Sequence, residues 1–175
     1  MARIKNIKPP CGYRVEGIAK IWLLDKDDFK GYRFDKGGLY SSCLVTDIIR
    51  VGEFIELDAP DMVARYNGSG SYLHSIESFI SGLSAETISN LHLGTKRRQV
   101  VVFLTNSGTY HTFGSDAGTV LTYQNQTADS LGSLVNLSAA SRYPLYEVTA
   151  DAMARFVQPV IFKPDFNNGA FCETT

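Results

Sequence analysis

The chain has 175 residues, 44% of them apolar, 20% charged and 11% aromatic, and its formal net charge at pH 7 is −1. This length predicts one domain that can bury a core without a disulfide or a metal, and this composition excludes wholesale disorder. The near-zero charge excludes a strongly basic domain that coats nucleic acid, though not a local basic patch. No apolar run reaches the length of a membrane span, and the charged N-terminus lacks the apolar region of a secretory signal.

The first 14 residues predict an extended N-terminal arm. Pro9 and Pro10 forbid a helix there and favour a polyproline-like path. Tyr13 adds an aromatic side chain to a segment that is too short to bury it alone. We therefore take Pro9, Pro10 and Tyr13 as candidates for contacts with a partner.

The following segment begins the β domain, which we expect to span residues 15–149. Residues 15–24 are dense in apolar and β-branched types and predict a buried strand, with a bulge or a close backbone approach at Gly17. Trp22 in this strand is expected in the core rather than as a platform for a sugar. Residues 25–38 carry charges, glycines and aromatics and predict a loop, and a second strand is expected near 39–50.

One helix is expected in this domain, near residues 84–94. Ser84 is a good N-cap and Gly94 supplies a C-terminal stop. The basic run that follows is the longest in the chain and consists of Lys96, Arg97 and Arg98. It can contact a phosphate or an acidic partner, or it can be a solvated loop whose charges complement the C-terminus of the helix.

Short strands separated by turns account for the rest of the domain. They are expected in the ranges 53–58, 61–67, 71–81, 99–105, 109–114, 119–127, 133–139 and 144–149. Turns every 8–12 residues are typical of an antiparallel meander. The fold class is therefore mainly β, an antiparallel β-sandwich or barrel with one short helix and extended terminal arms.

Residues 150–175 predict a C-terminal arm. They combine Pro, Asn and Gly with Phe162, Phe166 and Phe171, and such a segment cannot build a core of its own. Its aromatic side chains would dock within the same chain or on a neighbour. We therefore take Phe162, Phe166 and Phe171 as interface candidates.

No pattern in the sequence indicates catalysis, a metal or a cofactor. The three cysteines, Cys11, Cys43 and Cys172, lie far apart with no CxxC pair, so we expect free thiols in a reducing cytoplasm. The motifs GxSxG, SxxK and HExxH are absent. We therefore expect a protein that is not an enzyme, with no catalytic residue, no metal site and no cofactor.

A family resemblance covers residues 71–148. It rests on the strand in SYLHSIESFISGL, on the helix, basic link and strand in ETISNLHLGTKRRQVVVFLTNSGTYHTFGSDAG, and on SLVNLSAASRYPLYEV with its Tyr-Pro break. These segments resemble small tail proteins of tailed bacteriophages that infect Bacteroidota, crAss-like phages included. That family commonly has R-x-V-x-x-x-x-x-x-N-G-x-Y-x-x-x-G after the helix, whereas Asn106-Ser107-Gly108 here carries one extra residue in the turn.

This resemblance implies a virion structural subunit with a tail-tube-like fold, in a tail tube, a tail hub or a connector ring. Its partners would be copies of itself and other proteins of the tail and portal complex, and DNA could pass through a lumen without specific contacts. It would be made in the cytoplasm of the bacterial host and end in the virion. The alternative is a glycan- or ligand-binding β-sandwich module, which the 10 Phe and 9 Tyr suggest and which predicts a row of exposed aromatics on one sheet face.

Overall fold

The computed structural model describes residues 17–35, 43–57, 65–68, 72–127 and 131–156, the range 65–68 by its backbone alone. These residues form strands β1 (Ile18–Asp25), β2 (Phe29–Phe34), β3 (Leu44–Arg50), β4 (Ile55–Glu56), β5 (Arg65–Gly68) and β6 (Leu73–Ser81), then helix α1 (Ala85–Thr95), strands β7 (Gln99–Thr105), β8 (Tyr110–Phe113), β9 (Val120–Gln126), β10 (Gly132–Ala140) and β11 (Tyr146–Val148), and helix α2 (Ala150–Ala154). No helix within these ranges is long and apolar enough to cross a membrane.

The strands form two sheets. The larger has seven strands in the order β2-β3-β11-β8-β7-β1-β4, and the smaller has four in the order β5-β6-β10-β9. Every pairing is antiparallel except that of β3 with β11, which run parallel. The predicted mainly β, antiparallel sandwich is thus confirmed, and the two sheets do not close into a barrel.

The first core lies between the two sheets. Alternate side chains of β1 and β7 meet those of β6, β9 and β10 there, because successive residues of a strand point to opposite faces. This core contains Ile18, Ile21, Leu23, Ile76, Ile80, Leu91, Val101, Phe103, Phe113, Leu121, Val135, Leu137 and Ala139. In residues 71–81 the more apolar set of alternate residues is Tyr72, His74, Ile76, Ser78 and Ile80, which predicts the face toward the core; all of these except Tyr72 are buried.

The second core covers the opposite face of the seven-stranded sheet. It contains Trp22, Leu24, Val45, Ile48, Val100, Val102, Tyr146, Val148, Ala152 and Met153. The intervening residues of β1 and β7 therefore point into this second core, which explains the unbroken apolar runs at residues 21–24 and 100–104. Trp22 lies in the core, as predicted, and its indole N–H donates to Glu56 Oε2 at 3.0 Å.

The loop predicted over residues 25–38 is wrong, because β2 occupies part of it. Asp25 Oδ1 accepts a hydrogen bond from the Asp27 N–H at 3.0 Å, and this contact helps to hold the tight turn between β1 and β2. The aromatic residues Phe29, Tyr32 and Phe34 then pack against the second core. A register shift between Phe29 and Gly31 interrupts the strand pattern, which hides it in the sequence.

The start of α1 is as predicted and its end is not. Ser84 is the N-cap, and its Oγ accepts a hydrogen bond from the Thr87 N–H at 3.0 Å. The helix continues through Gly94 to Thr95, with Lys96 as the C-cap. Gly94 serves packing instead, since a Cβ there would lie 3.2 Å from Leu121 Cδ1 of β9.

A second helix, α2, belongs to the body of the domain rather than to a C-terminal arm. Thr149 caps it, and Ala152 and Met153 are completely buried in the second core. The arm boundary predicted at residue 150 is therefore too early, and the body extends at least to Phe156. The predicted N-terminal arm and residues 157–175 of the C-terminal arm lie outside the described residues.

Candidate interaction surface

Only one group of the predicted interface residues falls within the described ranges. It is the basic run Lys96, Arg97 and Arg98, and all three residues are exposed. The remaining candidates lie outside the described residues: Pro9, Pro10, Tyr13, Phe162, Phe166 and Phe171. The basic run is therefore the part of the predicted interface whose surroundings can be analysed.

Arg97 is held within the chain. Its Nη1 lies 2.7 Å from Asp25 Oδ2, which joins the end of α1 to the turn after β1. Burial by itself would raise the pKa of the Asp25 carboxyl, but hydrogen bonds from the Asp27 N–H and from Arg97, with the charge of Arg97, lower it below its ordinary value. Lys96 and Arg98 have no carboxylate within 4.0 Å among the described residues. Two of the three cations are thus available to other groups.

Three of the four strands at the sheet edges are short or protected. β4 has two residues and β5 has four. β2 carries Lys30 and Arg33 and has two register shifts against β3. Short length, charge and bulges are the usual means by which proteins prevent an edge strand from pairing with another chain.

The edge strand β9 lacks all three forms of protection. Its seven residues, VLTYQNQ, include no charge and no proline, and its register against β10 is regular from Val120 to Gln126. Within the described ranges no strand pairs with its other side. Helix α1 packs against the core-facing side chain of Leu121 in this strand, where Gly94 leaves room for it. Among the four edge strands, β9 is the one whose sequence and register do least to prevent pairing with another chain.

One exposed leucine lies on the outer face of the four-stranded sheet, next to the edge strand, and another lies in the connection before β10. Leu134 of β10 is 40% exposed and lies between Phe79 and Gln124 of the neighbouring strands. Leu131, just before β10, is 59% exposed. A chain that pairs with this edge would remove part of their apolar surface from water.

The exposed row of aromatics expected for a glycan-binding face is missing from the described side chains. On the outer face of the four-stranded sheet, Phe79 is the one aromatic among the described side chains of β6, β9 and β10, and it is half-buried. Tyr123 of β9 packs on the opposite face, against the first core. The aromatic form of the glycan-binding alternative is therefore not supported here.

A second charged cluster was not predicted from the sequence. The guanidinium of Arg50 lies over the rings of Phe54 and Phe156, at 5.1 and 4.3 Å from their centroids. Nearby, Asp47 is shared by Arg33 and Arg155 at 3.5 and 3.6 Å. No local motif marks this cluster, because its members are separated along the chain and come together only when α2 packs on β3.

The described side chains do not assemble a metal centre. No three His, Cys, Asp or Glu residues among them lie close enough to share a metal ion. Cys43, the one cysteine within the described ranges, is exposed and has a free thiol. The candidate functional site in this part of the molecule is therefore a surface formed by the edge of β9, by Leu131 and Leu134, and by the basic run.

Comparison with known proteins gives no assignment. No family description matches the chain, and no curated protein or solved structure shows significant similarity to it. Functional conclusions therefore depend on the residues and sheets of this chain alone.

Proposed function

We propose that this protein is a non-enzymatic structural subunit of a bacteriophage tail, in a tail tube, a tail hub or a connector ring. It assembles into a ring through contacts of its β domain and through its terminal arms. It is made in the host cytoplasm and ends in the virion. The observation that supports this proposal is the edge strand β9, which has no charge, no proline and no register shift against β10.

The four-stranded sheet has the topology that a repeating assembly needs. All its pairings are antiparallel and its strand number is even, so β5 and β9 at its two edges run in opposite directions. In a ring whose axis runs along the strands, β9 of one copy would therefore meet β5 of the next in antiparallel orientation, over the four residues of that short strand. Repeated head-to-tail contacts of this kind close into a ring.

Side chains beside the edge add to this contact. Pairing β9 with a neighbour would satisfy its free backbone N–H and C=O groups, and the neighbour would cover Leu131 and Leu134. A stable interface of standard size buries about 800 Å² on each partner. One strand seldom supplies that area, so we assign the remainder to the terminal arms and to the basic run.

The charges of the protein suggest how it would contact other components of the tail. Lys96 and Arg98 would meet acidic groups on another protein of the tail or portal complex. The net charge of −1 is consistent with a lumen through which DNA passes without tight phosphate contacts, since such contacts require clustered cations.

The proposal is tested by placing charge on the β9 edge. Thr122 and Gln124 are exposed on this strand, and changing both to Lys gives the edge the protection that β2 already has. The control changes Asn106 and Ser107 to Lys, which adds the same charge in the exposed turn between β7 and β8. Mass in solution is measured by light scattering after size exclusion and by native mass spectrometry.

We expect the parent chain and the control to form the same oligomer and the β9 variant to be a monomer. A parent chain that stays monomeric over the whole accessible concentration range would contradict the proposal. So would a β9 variant that assembles as well as the control.

A further inference from the structure

A cavity of about 590 Å³ lies at one end of the four-stranded sheet. Strands β6 and β9 begin there with Leu73 and Val120, and β10 ends there with Ala140. The turn before β9 and the side chain of Arg98 complete its wall. Sites for small molecules commonly occupy about 300–1,000 Å³, so this cavity has the size of a ligand site.

Two hydroxyl groups lie side by side in this cavity. Ser75 of β6 and Ser138 of β10 are register partners on adjacent antiparallel strands, and both are half-buried. Side chains at such positions have Cβ atoms about 4.5–5.5 Å apart. Each hydroxyl can donate one hydrogen bond and accept others, so the pair can bind neighbouring hydroxyl groups of a ligand.

One permanent positive charge stands at the rim. Arg98 is exposed, and its guanidinium has no carboxylate within 4.0 Å among the described residues. Its stem packs on Gly118, where a Cβ would lie 2.6 Å from Arg98 Cβ. Gly118 also has a positive φ of 76°, which favours glycine, so the turn is shaped to admit this side chain.

The rest of the lining contains no Asp, Glu, Lys or other Arg, and most of its side chains are small. Ala117, Ala139 and Ala140 leave the space open, while Leu73 and Val120 supply apolar contact. His74 at the base is buried, and its Nε2 lies 3.1 Å from the carbonyl oxygen of Tyr143. The cavity thus offers one fixed cation, two adjacent hydroxyls and an apolar wall.

We propose that this cavity binds a sugar acid, a hydroxycarboxylate of the size of one hexuronic acid unit. Arg98 takes the carboxylate, because the planar guanidinium fork matches a carboxylate with two parallel hydrogen bonds. Ser75 and Ser138 take hydroxyl groups of the ring, and Leu73 and Val120 cover its apolar edge. A phosphate monoester fits less well, since it carries a charge of about −1.5 to −2 and a single arginine leaves part of it uncompensated.

The test titrates the folded protein with D-glucuronic acid and follows backbone and side-chain signals by NMR. D-glucose, which lacks the carboxylate, and acetate, which lacks the hydroxyls, separate the two parts of the recognition. We expect glucuronate to bind at least about tenfold more tightly than either compound, with shifts centred on Ser75, Ser138 and Gly118. The cavity shares Arg98 with the basic run and Val120 with β9, but its lining includes none of Thr122, Gln124, Leu131 and Leu134. Assembly of the β9 variant and binding of glucuronate are therefore measured separately, and either can fail without the other.

Two variants assign the roles. Arg98→Gln removes the rim charge from an exposed side chain and should weaken glucuronate about tenfold or more while leaving glucose unchanged. Lys96→Gln makes the same change of charge outside the lining and should leave binding as it is. The proposal is overturned if glucuronate and glucose bind equally, if Arg98→Gln binds like the parent, or if the shifts map away from the cavity.

Discussion

The two sheets of this protein differ in how much of their surface they bury. The seven-stranded sheet has a core on each face, so five of the seven residues of β7 and five of the eight residues of β1 are buried. The four-stranded sheet buries one face and leaves the other largely polar, with Leu73 and Leu134 exposed. Both faces of the larger sheet therefore contribute to the cores, whereas the smaller sheet contributes one face and exposes the other.

The largest expected effect is the difference in the free energy of unfolding between a substitution in the buried core and one on the outer face. Phe103→Ala in the first core should lower the free energy of unfolding by about 3–5 kcal/mol, because the side chain is lost and a cavity remains. Leu134→Ala on the outer face should change it by about 0.5 kcal/mol or less. Urea denaturation measures both values, and equal losses at the two positions would contradict the division between the buried core and the outer face.

A smaller effect should appear in alkaline solution and should come from the second core. The hydroxyl of Tyr32 is hydrogen-bonded to Thr112 at 2.7 Å, and burial raises the pKa of Tyr32 well above its ordinary value. The unfolded chain releases this proton near pH 10, whereas the folded chain keeps it. The free energy of unfolding should therefore fall as the pH rises above about 10.

The comparison with Tyr32→Phe isolates this group. Denaturation of the parent and of this variant between about pH 8 and pH 11 should show their stabilities converging as the pH rises, because only the parent loses stability by this route. Tyr72→Phe, on an exposed tyrosine, serves as the control and should keep the slope of the parent. Parallel curves for the parent and Tyr32→Phe would show that the buried hydroxyl has no such effect.

The smallest effect should come from the surface pair that ties α1 to the turn after β1. Because the pKa of Asp25 is lowered in the folded chain, the stability it contributes is present above its unfolded pKa and is lost as the pH falls through its folded pKa. Arg97→Gln should therefore destabilise the protein slightly at neutral pH, and this difference should shrink in acid. Urea denaturation at neutral and acid pH measures it, with Lys96→Gln as the control, and a difference that grows in acid would contradict this assignment.

Local patterns predicted those elements that neighbouring residues define. The alternation of residues 71–81 placed His74, Ile76, Ser78 and Ile80 on the buried face. The apolar run 99–105 and the short turn after it predict the hairpin of β7 and β8, and Ser84 predicts the start of α1. In each case the signal and the structure both lie within one short stretch of chain.

Elements that depend on distant contacts were missed. β2 forms a strand because its aromatic side chains pack against the second core. α2 belongs to the body because Ala152 and Met153 are buried in that same core. In the sequence Gly94 predicts the end of a helix, whereas in the structure it makes room for the side chain of Leu121. The basic run was found as a motif, but the sequence did not show that Asp25 engages Arg97 while Arg98 borders a cavity.

The parallel pairing of β3 with β11 has a consequence for the order in which the chain folds. Within the described residues, the hairpin of β2 and β3 joins the rest of its sheet only through Leu44 and Val45, opposite Glu147 and Val148. A growing chain therefore leaves this hairpin without its docking partner until β11 has emerged from the ribosome. Closing so long a loop costs conformational entropy, so we expect docking of this hairpin to be a late and slow step of folding.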